Sequence, residues 1–190
     1  MAKNIVKTGQ KFHLELLVAK NYINTLIKLL ENYSTNQPFI SKAKCFPKFQ
    51  VITEGSKYWC KCDFDDLIIV ISNLKSNKIS RSETIPILYW IQNQIQSEII
   101  DVNAKIHKEF TVASNYVNDV INYLESCKDS GNNIDEIGMY KNKMPKFNYI
   151  GDEQITIYIN LLCSGKIEIS EATTALQKIE KAFNSALRTI

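Results

Sequence analysis

Lys105–Glu125, KIHKEFTVASNYVNDVINYLE, repeats Lys11–Glu31, KFHLELLVAKNYINTLIKLLE: 11 of the 21 aligned positions are identical, and four more exchange one apolar side chain for another. Unrelated segments would share roughly one or two positions at ordinary amino-acid usage. In the first copy Phe12, Leu16, Ala19, Ile23, Leu26 and Leu30 are spaced alternately four and three apart, with Tyr22 and Ile27 widening the stripe. That spacing predicts one apolar face of an amphipathic helix. The second copy keeps the face at Ile106, Phe110, Ala113, Val117, Val120 and Leu124. Self-similarity of this kind points to an internal duplication.

The similarity extends downstream. KAKCFPKFQVI (residues 42–52) returns, one residue shorter, as KNKMPKFNYI (residues 141–150), and each copy leads from a basic cluster through Pro-Lys-Phe into an alternating piece read as extended. In the first copy, FQVIT, a Glu-Gly turn and KYWCKC predict a β-hairpin at about residues 48–62 that the second copy lacks. Residues 65–91 align with residues 153–179 at 10 of 27 identical positions, and both read as helical hairpins. Asn77 and Gly165 are residue types that tolerate the left-handed backbone of a helix C-cap. Asp63 is placed as N-cap of the helix before that turn, and Ser82 or Ser170 as N-cap of the helix after it. Pro86 is placed in the first turn of that following helix, where a missing N–H costs little. NYSTNQP, with Pro38, stops the first helix, and a loop is expected at Cys127–Tyr140. Between Ser82 and Ser126 only Pro86 interrupts the helical pattern. Average helices are far shorter, so a break is expected at Asp101–Ala104.

The fold class is therefore mainly α. Two tandem degenerate repeats (helix, extended segment, helical hairpin) occupy residues 1–100 and 101–190 and pack as one unit, with the small β-hairpin in the first.

Composition narrows function by exclusion. Hydrophobic residues are 45% and charged residues 23% of 190, values of an ordinary globular chain. The longest apolar run is residues 67–71, far short of the roughly 20 a membrane helix needs. The N-terminus has no apolar h-region. Five cysteines, an odd number, suit free thiols in a reducing, cytoplasmic compartment. Residues 1–94 carry 13 Lys/Arg against 7 Asp/Glu, and residues 95–190 carry 10 against 13. A basic half and an acidic half could meet head to tail in a homo-oligomer.

His13 and His107 are the only histidines and open equivalent His-x-Glu triplets with Glu15 and Glu109. The Pro-Cys-x-x-Cys half of a zinc-deaminase signature is absent, and residues two apart on a helix point ~200° apart, so no metal is assigned. Asn21 and Asn24, repeated as Asn115 and Asn118, share a helix face. Asn is a poor mid-helix residue, so these positions read as hydrogen bonds to a neighbouring segment or as a binding surface. Cys45, Cys60 and Cys62 lack a second metal-spaced pair and read as free thiols. Lys42, Lys44 and Lys48 with Tyr58 and Trp59 form a basic, aromatic cluster, echoed by Lys141, Lys143 and Lys146 with Phe147 and Tyr149. Lysines beside stackable rings are what single-stranded nucleic acid requires.

No phosphate loop, dinucleotide fingerprint, nucleophile elbow or metalloprotease motif occurs. The expectation is a non-enzymatic helical protein, without cofactor, that binds a protein partner in the manner of an adaptor, inhibitor or immunity factor, of viral or mobile-element type. The alternative is a nucleic-acid-binding regulator acting through the Lys/aromatic segments.

Overall fold

The computed structural model describes residues 8–43, 64–130 and 136–188. Those residues are mainly helical: α1 (Thr8–Asn32), α2 (Gln37–Ala43), α3 (Phe64–Lys75), α4 (Arg81–Ser130), α5 (Ile137–Lys143), α6 (Glu153–Cys163) and α7 (Ile169–Leu187). No strand occurs among them. The hairpin expected at residues 48–62, and the cap expected at Asp63, lie outside the described residues.

The chain divides into two compact units, one spanning Thr8–Val102 and the other containing residues 103–190. In the first unit α2 packs on α1 and α3 on α2. All six stripe residues of α1, from Phe12 to Leu30, are buried, as are Phe39 of α2, Leu67 and Leu74 of α3, and Leu88 and Ile91 of α4. In the second unit α5 packs on α6 and α6 on α7. Val117, Val120 and Leu124 of α4 join Ile137, Ile155, Ile159, Leu176 and Ile179 in one apolar cluster. Full burial of a side chain of this size contributes about 1.5–3 kcal/mol.

The turns follow from backbone sterics. Asn77 has φ 55° and Gly165 φ 64°, and each closes the same pair of bonds after a helix. Lys78 N donates to Asn73 O and Asn77 N to Leu74 O, at 2.8 and 3.2 Å, while Lys166 N donates to Leu161 O and Gly165 N to Leu162 O, at 2.9 and 3.0 Å. This 6→1 and 5→2 pair is the Schellman arrangement. Asn77 and Gly165 thus act as the left-handed residues expected of them.

Several expectations are corrected. Ser80, not Ser82, opens α4: Ser80 N donates to Glu83 Oε2 at 2.7 Å, and Glu83 N donates to Ser80 Oγ at 3.3 Å. This is a reciprocal capping box. Ser80 Oγ also donates to Glu83 Oε2 at 2.6 Å, and that bond first, then the one from Ser80 N, holds the Glu83 carboxyl below its usual range. Glu168 occupies the N-cap of α7, so Ser170 lies inside that helix. Pro86 is the sixth residue of α4, in its second turn rather than its first. The break expected at Asp101–Ala104 does not occur, because α4 runs unbroken for 50 residues. Its apolar stripe explains why: Ile95, Ile99, Val102 and Ile106 are all buried and keep helical spacing through the expected break. The basic clusters lie in short helices, with Lys42 in the last turn of α2 and Lys141 and Lys143 in the last turn of α5, while the extended piece of the second copy, residues 147–150, is neither helix nor strand and that of the first lies outside the described residues. The expected loop at Cys127–Tyr140 is invaded from both ends, by α4 through Ser130 and by α5 from Ile137. Pro38 does not serve as the stop, for α1 already ends at Asn32 and Pro38 is the second residue of α2, a position that needs no N–H.

The two seven-residue helices are too short to stand alone. A tyrosine hydroxyl ties each to its unit: Tyr22 donates to Ala43 O at 3.4 Å, and Tyr116 donates to Tyr140 O at 2.7 Å.

Two predictions follow from this geometry. Asn77→Ala and Gly165→Ala should each cost roughly 1–2 kcal/mol in urea denaturation, and Asn77→Gly should be near neutral, because only the left-handed backbone is at issue. Burial first, then the neighbouring Cys163 and Tyr140, pushes the Tyr116 hydroxyl from 10 up to about 12. A raised acid favours its neutral form in the fold, so this contribution to stability is complete below pH 10 and is lost as pH rises towards 12. Alkaline denaturation followed by circular dichroism should be shallower over that interval in Tyr116→Phe. Tyr123, also raised to about 12 and chiefly by burial, should retain part of the slope.

Candidate functional site

The polar feature of greatest consequence sits where α4 meets the run after α5. Met144–Ile150 carries no helix or strand, so its backbone amides have no regular ladder to join and need other partners. Glu109, half-buried on α4, supplies them. Its carboxylate accepts from Asn148 N at 2.8 Å and 3.0 Å, from Tyr149 N at 2.8 Å and from Ile150 N at 3.2 Å. Three consecutive amides around one anion form the kind of concavity proteins use for bound anions. Here the anion is the chain's own side chain. Charge-assisted bonds of this type are stronger than neutral ones.

The clamp fixes the Pro-Lys-Phe segment against α4 and creates an open groove of about 350 Å³. Lys105, Lys108 and Val112 line it from α4, and Pro145, Lys146, Phe147 and Tyr149 from the clamped run. Lys108 and Lys146 are exposed. Phe147 and Tyr149 are only 6% and 8% exposed, which leaves little ring face for a base.

The structure brings some sequence-predicted residues here and not others. Lys146 lines the groove, whereas Lys141 and Lys143 are exposed on α5 and Lys42 is exposed on α2. Lys44, Lys48, Tyr58 and Trp59 lie outside the described residues, as do Cys45, Cys60 and Cys62. Of the other two cysteines, Cys127 is buried and Cys163 exposed. His107 is exposed and His13 half-buried. No group of three metal-ligating side chains occurs among the described residues. Asn24 Oδ1 accepts from Gln92 Nε2 of α4, the neighbouring-segment bond considered for these positions. Asn21, Asn115 and Asn118 are exposed.

Sequence reasoning did not assign Glu109 its clamp, nor Lys105 and Lys108 their place on the groove. A signal existed for Glu109, which aligns with Glu15 in the two similar stretches of sequence. Nothing local tells a retained surface glutamate from one that holds a distant loop.

Other exposed features lie elsewhere. Leu14 and Val18, one turn apart on α1, are 56% and 49% exposed. A second, wider groove of about 580 Å³ runs between α6 and α7, with Glu171 and Lys178 on its walls. No helix among the described residues is long and apolar enough to cross a membrane. No protein-family model, curated protein or solved structure matches the chain.

The clamp predicts that Glu109→Ala costs roughly 1–3 kcal/mol, because it orphans amides at the edge of the core. Hydrogen exchange should speed up selectively at Asn148, Tyr149 and Ile150 while the α6–α7 amides keep their protection.

Proposed function

We propose that the chain is a non-enzymatic binding protein, built from two tandem degenerate copies of one helical unit, that acts through contact with a protein partner as an adaptor, inhibitor or immunity factor does. The observation that carries the reading is the ridge on α1, where Leu14 and Val18 stand together in solvent. Two exposed apolar side chains one turn apart offer a partner a small apolar contact on an otherwise amphipathic helix. Val112, the counterpart of Val18 in the repeat alignment, is also exposed. The sequence adds its lack of any recognisable catalytic motif.

The duplication draws support from matched contacts as well as matched residues. Tyr89 donates to Glu31 at 2.8 Å in the first unit, and at the equivalent positions Gln177 donates to Glu125 at 3.3 Å in the second. The Schellman turns at Asn77 and Gly165 form a second such pair.

The Leu14→Asp/Val18→Asp double variant tests the reading. The protein and this variant would be used as bait in the source organism, with quantitative mass spectrometry and reconstitution of the strongest hit from purified components. A reconstituted complex that the double variant loses at unchanged helicity is the expected result. A complex indifferent to the ridge would remove the ridge as the contact surface, and turnover of a small molecule in place of any complex would overturn the reading.

A further inference from the structure

We propose that the lysine-rimmed groove between α4 and the Pro145–Tyr149 run is a docking site for an extended acidic peptide segment of a partner protein, one that alternates carboxylates with apolar side chains. The inference rests on the protein-binding reading above and names the chemistry of the partner.

Charge comes first. Lys108 and Lys146, both exposed, line the groove with a single carboxylate, Glu109, whose oxygens already accept bonds from three backbone amides. The groove thus presents positive charge to an incoming chain, and complementary charge steers and orients association. The second argument is the rest of the accessible lining, which is mostly carbon: Val112 is exposed and Pro145 half-buried, while Phe147 and Tyr149 add only the little surface they keep. Apolar lining beside cations suits an apolar side chain flanked by carboxylates better than a bare anion. At about 350 Å³ the space falls at the small end of ligand sites, enough for one large side chain and its neighbours.

The same details disfavour nucleic acid. Base stacking needs exposed ring faces, and Phe147 and Tyr149 are buried. Phosphate favours a nest of backbone amides, and the nest here is filled by Glu109. The wider groove between α6 and α7 has no such bias, because Glu171 and Lys178 both line it.

The test is fluorescence anisotropy on the full chain with a labelled peptide alternating Glu and Leu. Its Lys-for-Glu counterpart and a labelled single-stranded RNA serve as competing probes. The Glu/Leu peptide should bind, more weakly as salt rises. Lys108→Glu/Lys146→Glu should lower its affinity at least about tenfold, and Val112→Ser several-fold, at unchanged circular dichroism. Lys166→Glu, in the exposed turn before α7, should leave binding unchanged. Equal binding of the Lys/Leu peptide, indifference to Lys108→Glu/Lys146→Glu, or capture of RNA alone would overturn the proposal. A reconstituted complex that survives Lys108→Glu/Lys146→Glu but not Leu14→Asp/Val18→Asp would remove the groove and keep the protein-binding reading. If no complex forms, that reading falls, and the peptide titration still decides the groove.

Discussion

Each unit depends on one dry apolar seam, carried by α1 in the first and by the second half of α4 in the second. Leu26 and Leu30 on one seam, Val120 and Leu124 on the other, are wholly removed from solvent. Helices of seven residues such as α2 and α5 have no stability of their own in water. They persist because the seams bury their apolar faces at about 25 cal/mol per Å² and because Tyr22 and Tyr116 each bond one of their carbonyls. The tyrosines sit on the edge of the same stripe that buries the leucines, so one helix face supplies both the apolar drive and the polar fastening.

Where helices end, the backbone must be satisfied some other way, and that need shapes the candidate site. The run after α5 cannot pair in a ladder, so Glu109 reaches across to its amides. The consequence is electrostatic as well as structural. The Glu109 carboxylate keeps its charge but is turned to the backbone, and Lys108 and Lys146 stand exposed on the groove beside it. An architectural bond and a surface property thus come from the same side chain.

Much of the helical content was legible in the sequence. The stripe on α1, the similar stripe on α4 and the left-handed character of Asn77 and Gly165 follow from spacing and from backbone sterics, both local quantities. The failures were also physical in kind. Ser82 looked like a cap, but Ser80 had Glu83 three residues on and made the reciprocal box. A break at Asp101 was expected from ordinary helix lengths, yet Val102 and Ile106 kept the stripe in phase and the helix continued. Lys42, Lys141 and Lys143 read only as basic clusters, and short helices that owe their existence to packing claimed them.

By itself the sequence determined the helical class, the two apolar seams and the turns that fold each helical hairpin, because periodicity and φ preference act over a few residues. Only the tertiary structure decided that Glu109 holds the backbone of residues 148–150, that Lys146 stands with Lys105 and Lys108, and that Phe147 and Tyr149 turn inward. Those outcomes depend on which distant amide lacks a partner once the core has closed, and no pattern within a few residues of the chain records that.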